Sequence, residues 1–266
     1  MHQEPHGLPE YVVRVPAGLF RGLNPTTKLV VALAIGFVAL GVRGWTGPLA
    51  MLALIGTIVV AAGIGRGIVP YALATLPILV SIILVNTFLY PGATDTLVDL
   101  GPVSATGTGL VAAVQAALRV VAFALAVGVL ALTTPMAHLL DDLERRGVGR
   151  RLTFVVGSAV GMIPRMMERA REITDAQRAR GMDTEGSPAR RIRGVLPLAG
   201  PMVLSSLAEV EERTMALEAR GFSAPGARVT LRPFADHPAE RLLRWVAGIG
   251  ALVLVFLSVA GIVAVP

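Results

Sequence analysis

Arg180 and Arg220, forty residues apart, each stand in an Ala-Arg-Gly tripeptide, within AQRARGMD at 176–183 and MALEARGF at 215–222. Each tripeptide falls where a charged helix should stop. Glycine closes a helix in the left-handed conformation. A cation in the last turn sits at the negative end of the helix dipole. The chemistry such a group offers is recognition: a planar, always-charged guanidinium at a helix tip suits an acidic groove on another protein. At this composition chance gives about 0.4 such tripeptides, so two copies carry weight only through their setting.

Other chemistry is poorly supplied. Cysteine is absent, which removes disulfides, thiolate metal sites and cysteine nucleophiles together. The histidines are His2, His6, His138 and His237, and none pairs with a nucleophile. His138 and Asp142 share a helix face at i,i+4, but two ligands beside Arg145 and Arg146 are a poor metal site, so this stretch reads as a solvated charged helix. The sequence has no P-loop, no H-E-x-x-H and no paired aspartates within an apolar segment. Any ATP hydrolysis therefore belongs to other chains.

The elements that must position the two arginines follow from composition. The 266 residues are 54% hydrophobic and 16% charged, with mean hydropathy +0.68. That is too little charge to cover a soluble surface, and it implies a membrane protein. A pI near 10.8 suggests nucleic acid, yet aromatics are 5% and no polar domain offers a binding face. Basic residues gathered on one side of a membrane account for the charge without nucleic acid. All but one of the 24 basic residues are arginine, the exception being Lys28.

Five apolar segments approach the ~20 residues of a membrane span: Leu29–Val42 (full length from Thr26), Trp45–Ile64, Ile68–Tyr90, Leu110–Thr133 and Trp245–Val265. Pro70 falls in the first turn of the third and Pro77 should kink it. Residues 91–109 read as a loop. Residues 134–244 differ, holding 18 of the 24 basic and 14 of the 18 acidic residues. The two apolar runs in this region, Leu152–Ile163 and Val195–Ala208, are short for spans. If both crossed, eight arginines between Arg165 and Arg193 would lie outside, against the positive-inside bias. Keeping the region on one side, with an inside N-terminus, leaves Arg43 alone in an outside loop and Arg119 within a span. A crossing hairpin of the two runs is the alternative.

The expected fold is therefore all-α: a polytopic membrane protein with about five transmembrane helices and a cytoplasmic helical insertion. The divisions are a lead-in at 1–25, without a signal peptide's pattern, a four-helix part at 26–133, the cytoplasmic region at 134–244 and a last helix at 245–266. The N-terminus is placed in the cytoplasm and the C-terminus outside. Within the insertion, Pro164 should open a helix running to Arg180, with Met166, Ala170, Ile173 and Ala176 in one stripe. Pro201 should precede a second helix to Arg220, striped by Val203, Leu207, Val210, Thr214 and Leu217. Each stripe needs cover from the other helix, the membrane face or a partner. Within the spans, Asn86 is placed to bond a neighbouring helix, and Arg119 to snorkel outward or to pair with Asp95 or Asp99.

Four stretches carry a family resemblance. LNPTTKL at 23–29, with Asn24, Pro25 and Lys28, resembles the start of the first span in the CbiQ/EcfT family, the transmembrane T components of energy-coupling factor (ECF) transporters. LTTPMAHLLDDLERRGV at 132–148 resembles that family's Thr-Thr motif and first coupling helix. The stretches around Arg180 and Arg220 resemble its two Ala-Arg-Gly motifs, the second more specifically because Met215, Glu218 and Phe222 also agree. The resemblance runs through most of residues 20–265. It implies a non-catalytic membrane subunit of an ABC importer. Two cytoplasmic ATPases would bind ATP and Mg, and Ala179, Arg180, Gly181 and Ala219, Arg220, Gly221 would dock in them. A separate S component in the membrane would capture a vitamin or transition-metal ion; the choice of substrate would lie with that chain. This chain would itself hold no cofactor or metal. A solitary secondary transporter and a non-transporting scaffold are the competing readings; the first usually needs ionisable groups at mid-membrane, which these spans lack apart from Arg119.

Overall fold

The computed structural model describes residues 20, 22–42, 44–91, 95–99, 104–181, 188–222, 224 and 236–261, with the backbone alone for 188–198. Most of the lead-in, Arg21, Arg43, Met182 and Asp183–Ser187 lie outside the described residues. The chain divides into two compact units, residues 1–147 with 234–266, and residues 148–233.

The first unit is a helical bundle. Helix α1 (Pro25–Gly41) starts as its sequence dictates: the Asn24 side chain accepts a hydrogen bond from Thr26 N at 3.2 Å and Pro25 takes the first helical position. Helix α2 (Thr46–Ala62) closes at Gly63, whose φ is 64°. Helix α3 spans Gly65–Leu89 and contains both Pro70 and Pro77, so Pro70 lies beyond the first turn where sequence put it. The stretch expected as plain loop contains a two-stranded antiparallel hairpin, β1 (Thr96–Asp99) with β2 (Ser104–Thr106). Thr106 caps α4 (Gly107–Thr133) by accepting from Gly109 N at 3.2 Å. Asp95 supports the same start, accepting from Thr108 N at 2.8 Å and Thr108 Oγ1 at 2.7 Å. Those bonds, that from the hydroxyl above all, hold its carboxyl below the ordinary carboxylate range against the opposing effect of desolvation. Helix α5 (Met136–Arg145) follows, and α8 (Pro238–Val259) completes the unit.

Small residues set the packing. Ala39, Ala113 and Ala122 are fully buried, and Ala39 and Ala122 share a core with Ile35, Ile55, Ala126 and Val129. Gly36 lets Phe123 close on α1, since a β-carbon there would lie 2.8 Å from the ring. Helix α1 packs against α2, α4 and α8, and α3 packs on α4. Close approach through small side chains is how helices associate in lipid, where burial of apolar surface offers little drive. The outer surfaces are apolar and open: Leu73, Ile78 and Val80 on α3 and Leu252 and Phe256 on α8 are all exposed.

Helices α3, α4 and α8, of 25, 27 and 22 residues, are long and apolar enough to cross a membrane. Helices α1 and α2 are equally apolar but have 17 residues each. At 1.5 Å per residue they reach about 26 Å, a little short of the ~30 Å hydrocarbon core.

The second unit is a helix pair, α6 (Arg150–Ala179) and α7 (Pro188–Ala219). Both begin earlier than their prolines suggested. Pro164 lies inside α6 and Pro201 inside α7, so the apolar runs and the charged stretches behind them are single helices of 30 and 32 residues. The pair is antiparallel, because Phe154 of α6 meets Phe222 just beyond α7 while Met166 meets Ser206.

Their seam is more polar than expected. Arg165 bridges to Glu209 at 3.5 Å, and Glu209 also holds Arg213 at 2.6 Å. On α6, Met166, Ala170 and Ile173 are partly covered, in keeping with the stripe read from sequence, but Ala176 is exposed. Among the α7 side chains described, the covered positions are Met202, Ser205, Ser206, Glu209, Arg213 and Leu217, the last of them from the expected stripe. Val203, Leu207 and Val210, expected to need cover, are 58%, 62% and 55% exposed.

Candidate functional site

Ala-Arg-Gly ends both long helices of the second unit. At the end of α7, Phe222 N donates to Leu217 O at 2.9 Å and Gly221 N to Glu218 O at 2.9 Å. These two bonds are a complete Schellman closure, with Gly221 at φ 69°. At the end of α6, Gly181 takes φ 90° and its N–H donates to Arg178 O at 2.9 Å, the corresponding bond. Both ends are therefore closed by a glycine at positive φ with the same three-residue bond. Arg180 and Arg220 are exposed, and neither forms an ion pair among the described residues.

A third helix supplies a comparison. Helix α5 also stops at Arg-Gly, with Gly147 at φ 98°. Its arginine is engaged inward: Arg146 Nε donates to Asp142 Oδ2 and to Thr26 Oγ1, each at 3.0 Å, and Nη2 lies 3.7 Å from Asp236 Oδ2. Helix closure alone thus leaves an arginine available to be spent locally; at Arg180 and Arg220 it is not.

The two tips differ in their support. Phe222, the residue after the second tripeptide, packs on Phe154 as a tilted pair with ring centres 4.6 Å apart, and the Arg150 guanidinium lies 4.3 Å from its ring centre. Aromatic pairing of this kind is worth ~0.5–1.5 kcal/mol beyond burial. The Arg220 tip is therefore braced against the start of α6, while Arg180 stands at that helix's other end.

The motif at the start of α1 forms a polar knot in the first unit. Lys28 is 4% exposed and its ammonium donates to Thr133 O at the end of α4, 3.2 Å away. Asp142 is 3% exposed, not solvated as its helix pattern suggested. Its carboxylate accepts from Thr26 N at 3.3 Å and from the Thr26 hydroxyl, besides Arg146. From α8, Glu240 Oε2 accepts from Asn24 N at 2.8 Å and Thr27 Oγ1 at 3.1 Å. Arg244 Nη1 donates to Thr27 Oγ1 at 2.9 Å, and Nη2 grips both oxygens of Asp236 at 2.8 and 2.9 Å. That Arg244 fork, with the nearby charges of Arg146 and Arg241, holds the Asp236 carboxyl below the ordinary carboxylate range; desolvation works the other way. Two carboxylates at the N-terminus of α1 also complement its dipole.

Known proteins resemble this chain along most of its length. The CbiQ family model, described as cobalt transport protein, matches residues 18–230. An energy-coupling factor transporter transmembrane protein EcfT from Heliobacterium modesticaldum is 30% identical over 225 residues, covering 79% of this chain and 82% of that protein. The EcfT of Macrococcus caseolyticus is 25% identical over 83% of this chain and 86% of its own length. EcfT 1 of Listeria monocytogenes is 28% identical over 92% of both.

The chain belongs to the CbiQ family of transmembrane T components. It is thus a membrane subunit of an ECF transporter. The matched span takes in both Ala-Arg-Gly tips and the Asn24-Pro25-x-x-Lys28 start of α1.

Of the two polar residues singled out inside the spans of this CbiQ-family chain, Asn86 behaves differently from expectation. Among the described residues the Asn86 amide bonds its own helix and not a neighbour: Nδ2 donates to Ile82 O at 2.9 Å. The backbone carbonyl of Asn86 lies beside Gly109 of α4, where a β-carbon would come within 2.3 Å of it. Asp95, one of the two partners weighed for Arg119, is engaged by Thr108, and the buried Nε of Arg119 has no hydrogen-bond partner among the described residues.

Residues that sequence reasoning missed are Thr26, Thr27, Arg146, Asp236, Glu240 and Arg244. The i,i+4 spacing of Asp142 and Arg146 was a visible signal. Thr26, Thr27, Glu240 and Arg244 are joined across 116 to 217 residues of chain, and Asp236 is held by Arg244 at a spacing of eight, outside the helical pairs; these left none.

Proposed function

We propose that this T component couples ATP hydrolysis by two cytoplasmic ABC ATPases to uptake of a vitamin or transition-metal ion by a separate S component in the membrane. The observation that carries the reading is the pair of exposed guanidiniums at matched, glycine-closed helix tips. Ala179-Arg180-Gly181 docks in one ATPase and Ala219-Arg220-Gly221 in the other. Each arginine forms a charge-assisted, directional link with an acidic groove. ATP and Mg are held by the ATPases, and this chain is non-catalytic.

The protein is a multi-pass protein of the plasma membrane. Residues 26–133 and 245–266 form its membrane part, with the N-terminus in the cytoplasm and the C-terminus outside. Residues 134–244 lie in the cytoplasm, where the exposed stripe of Val203, Leu207 and Val210 on α7 is covered by the membrane face or by a partner.

Gentle purification of the tagged chain from its native membrane tests this. Two ATPase subunits, or two copies of one, and a small apolar membrane protein are expected with it. Arg180→Ala and Arg220→Ala should each weaken ATPase retention. Loss of one partner of a buried charge pair costs ~2–5 kcal/mol, equivalent to ~30-fold to several thousand-fold in affinity. Full retention of ATPases by both variants, with uptake intact, would overturn the assignment.

A further inference from the structure

The insertion that carries both tips leaves the first unit after Gly147 and returns before Phe234. The residues at these two crossings are not independent. On the outgoing side, Asp142 and Arg146 of α5 both bond Thr26. On the returning side, Arg244 joins Asp236 to Thr27, and Glu240 bonds Thr27 and Asn24. A direct bridge from Arg146 to Asp236 links one side to the other. Both roots of the insertion therefore converge on two adjacent residues in the first turn of α1.

Helix α1 is also the one that packs on α2, α4 and α8. Thr27 is fully buried and Asp142 nearly so, so these bonds cannot be exchanged freely for water. A displacement of α5 or of the start of α8 must carry the first turn of α1 with it or break charge-assisted bonds.

We infer that the first turn of α1 is where motion of the insertion enters the membrane bundle, with Thr26 and Thr27 as positioning residues and the Asp142–Arg146–Asp236–Arg244 chain as the clamp that delivers it. The inference rests on the ATPase-coupling function proposed above. It gives the Asn24-Pro25-Thr26-Thr27-Lys28 stretch a task beyond starting a helix. It also accounts for the different use of three similar Arg-Gly endings: Arg146 is tied inward at the root, while Arg180 and Arg220 are left exposed at the tips.

The test is hydrogen–deuterium exchange on the full complex, nucleotide-free and trapped with ATP and orthovanadate. In the unaltered complex, amides of residues 22–31 should change their exchange rate at least threefold between the two states. Residues 95–108, at the opposite ends of α3 and α4, serve as the reference and should change less. In Arg146→Gln and Asp236→Asn complexes, ATP hydrolysis should stay within twofold while the response at 22–31 falls to less than half. Loosening of the fold alone would raise exchange in both nucleotide states and leave their ratio intact. If a variant sheds its ATPases, Thr27→Val, which removes only the hydroxyl bonded by Glu240 and Arg244, replaces it and should likewise lose more than half of the response.

No nucleotide response at 22–31 in the unaltered complex, or a full response in both clamp variants, would defeat the inference while leaving the coupling function standing. Absence of ATPases from the unaltered complex would remove the function and the inference together.

Discussion

Replacing Asp142 with alanine removes the acceptor that ties α5 to α1. The side chain is 5% exposed and receives bonds from Arg146 Nε, Thr26 N and the Thr26 hydroxyl. A hydrogen bond to a charged group contributes ~1.5–3 kcal/mol, and an orphaned buried partner adds its own desolvation cost. Two features reduce the loss. Arg146 is 29% exposed and can regain water, and Thr26 N retains Asn24 Oδ1 at 3.2 Å. The surviving cost is about 2–3 kcal/mol, below the ~3–5 kcal/mol of a fully buried broken pair. For a chain of this size each kcal/mol moves Tm by ~2–4 °C, so the expected fall is about 4–12 °C. Thermal unfolding in detergent, followed by the fluorescence of Trp45 and Trp245, reads it. Glu168→Ala, at an exposed position of α6, is the control and should shift Tm by no more than ~2 °C. An Asp142→Ala protein that melts within that same margin would show that the knot contributes no stability. In a double-mutant cycle, Arg146→Ala should add much less in the Asp142→Ala background than alone.

Gly109→Ala should damage the bundle at one defined place. The new β-carbon would lie 2.3 Å from Asn86 O and 2.5 Å from Thr106 Oγ1, so backbone must move. A cost of ~1–3 kcal/mol or more is expected from such overpacking, whereas Gly56→Ala, with nothing within 4 Å, should be neutral or stabilising on the same melting assay. Acidification should weaken the clamp through Asp236. Its folded pKa is depressed below the ordinary 3.8 by Arg244, with Arg146 and Arg241 adding to the effect. Its contribution is therefore present above the unfolded value and lost as pH falls through the folded one. Melting temperature measured from pH 5 down to pH 3 should fall less steeply for Asp236→Asn than for the unaltered protein; parallel curves would contradict the assigned role.

The sequence disclosed what is local. Apolar runs located five of the six helices of the first unit because membrane-length segments need no distant partner to be recognised. The Arg180 and Arg220 endings were legible because glycine closure depends on a few neighbouring residues. Helix starts were less legible. Pro164 and Pro201 look like first-turn residues, yet each lies within a longer helix, since the apolar run before it and the charged run behind it continue one another. The hairpin at 96–106 was hidden in a stretch rich in glycine, proline and threonine. The exposed stripe on α7 followed the same limit: hydrophobicity marked Val203, Leu207 and Val210, but the seam with α6 runs through Ser206 and Glu209, where a thioether contact and an ion pair decide it. Asp142 is the clearest failure. Its helix looks solvated from its charge pattern, and only the fold brings Thr26 to it.

The packing of Phe222 on Phe154 has a metric consequence. It fixes the Arg220 tip beside the first turn of α6, while Arg180 terminates that same helix. One helix therefore sets the spacing between the two tips. Its 30 residues give an upper limit of about 45 Å at 1.5 Å per residue, shortened by any bend at Pro164. Under the proposed function, α6 is a gauge: the two ATPase grooves must present themselves at that pitch, and removing one helical turn would shorten it by ~5 Å. A pair of ATPases with a different groove spacing would then fail to engage both tips, however well each groove fitted its own arginine.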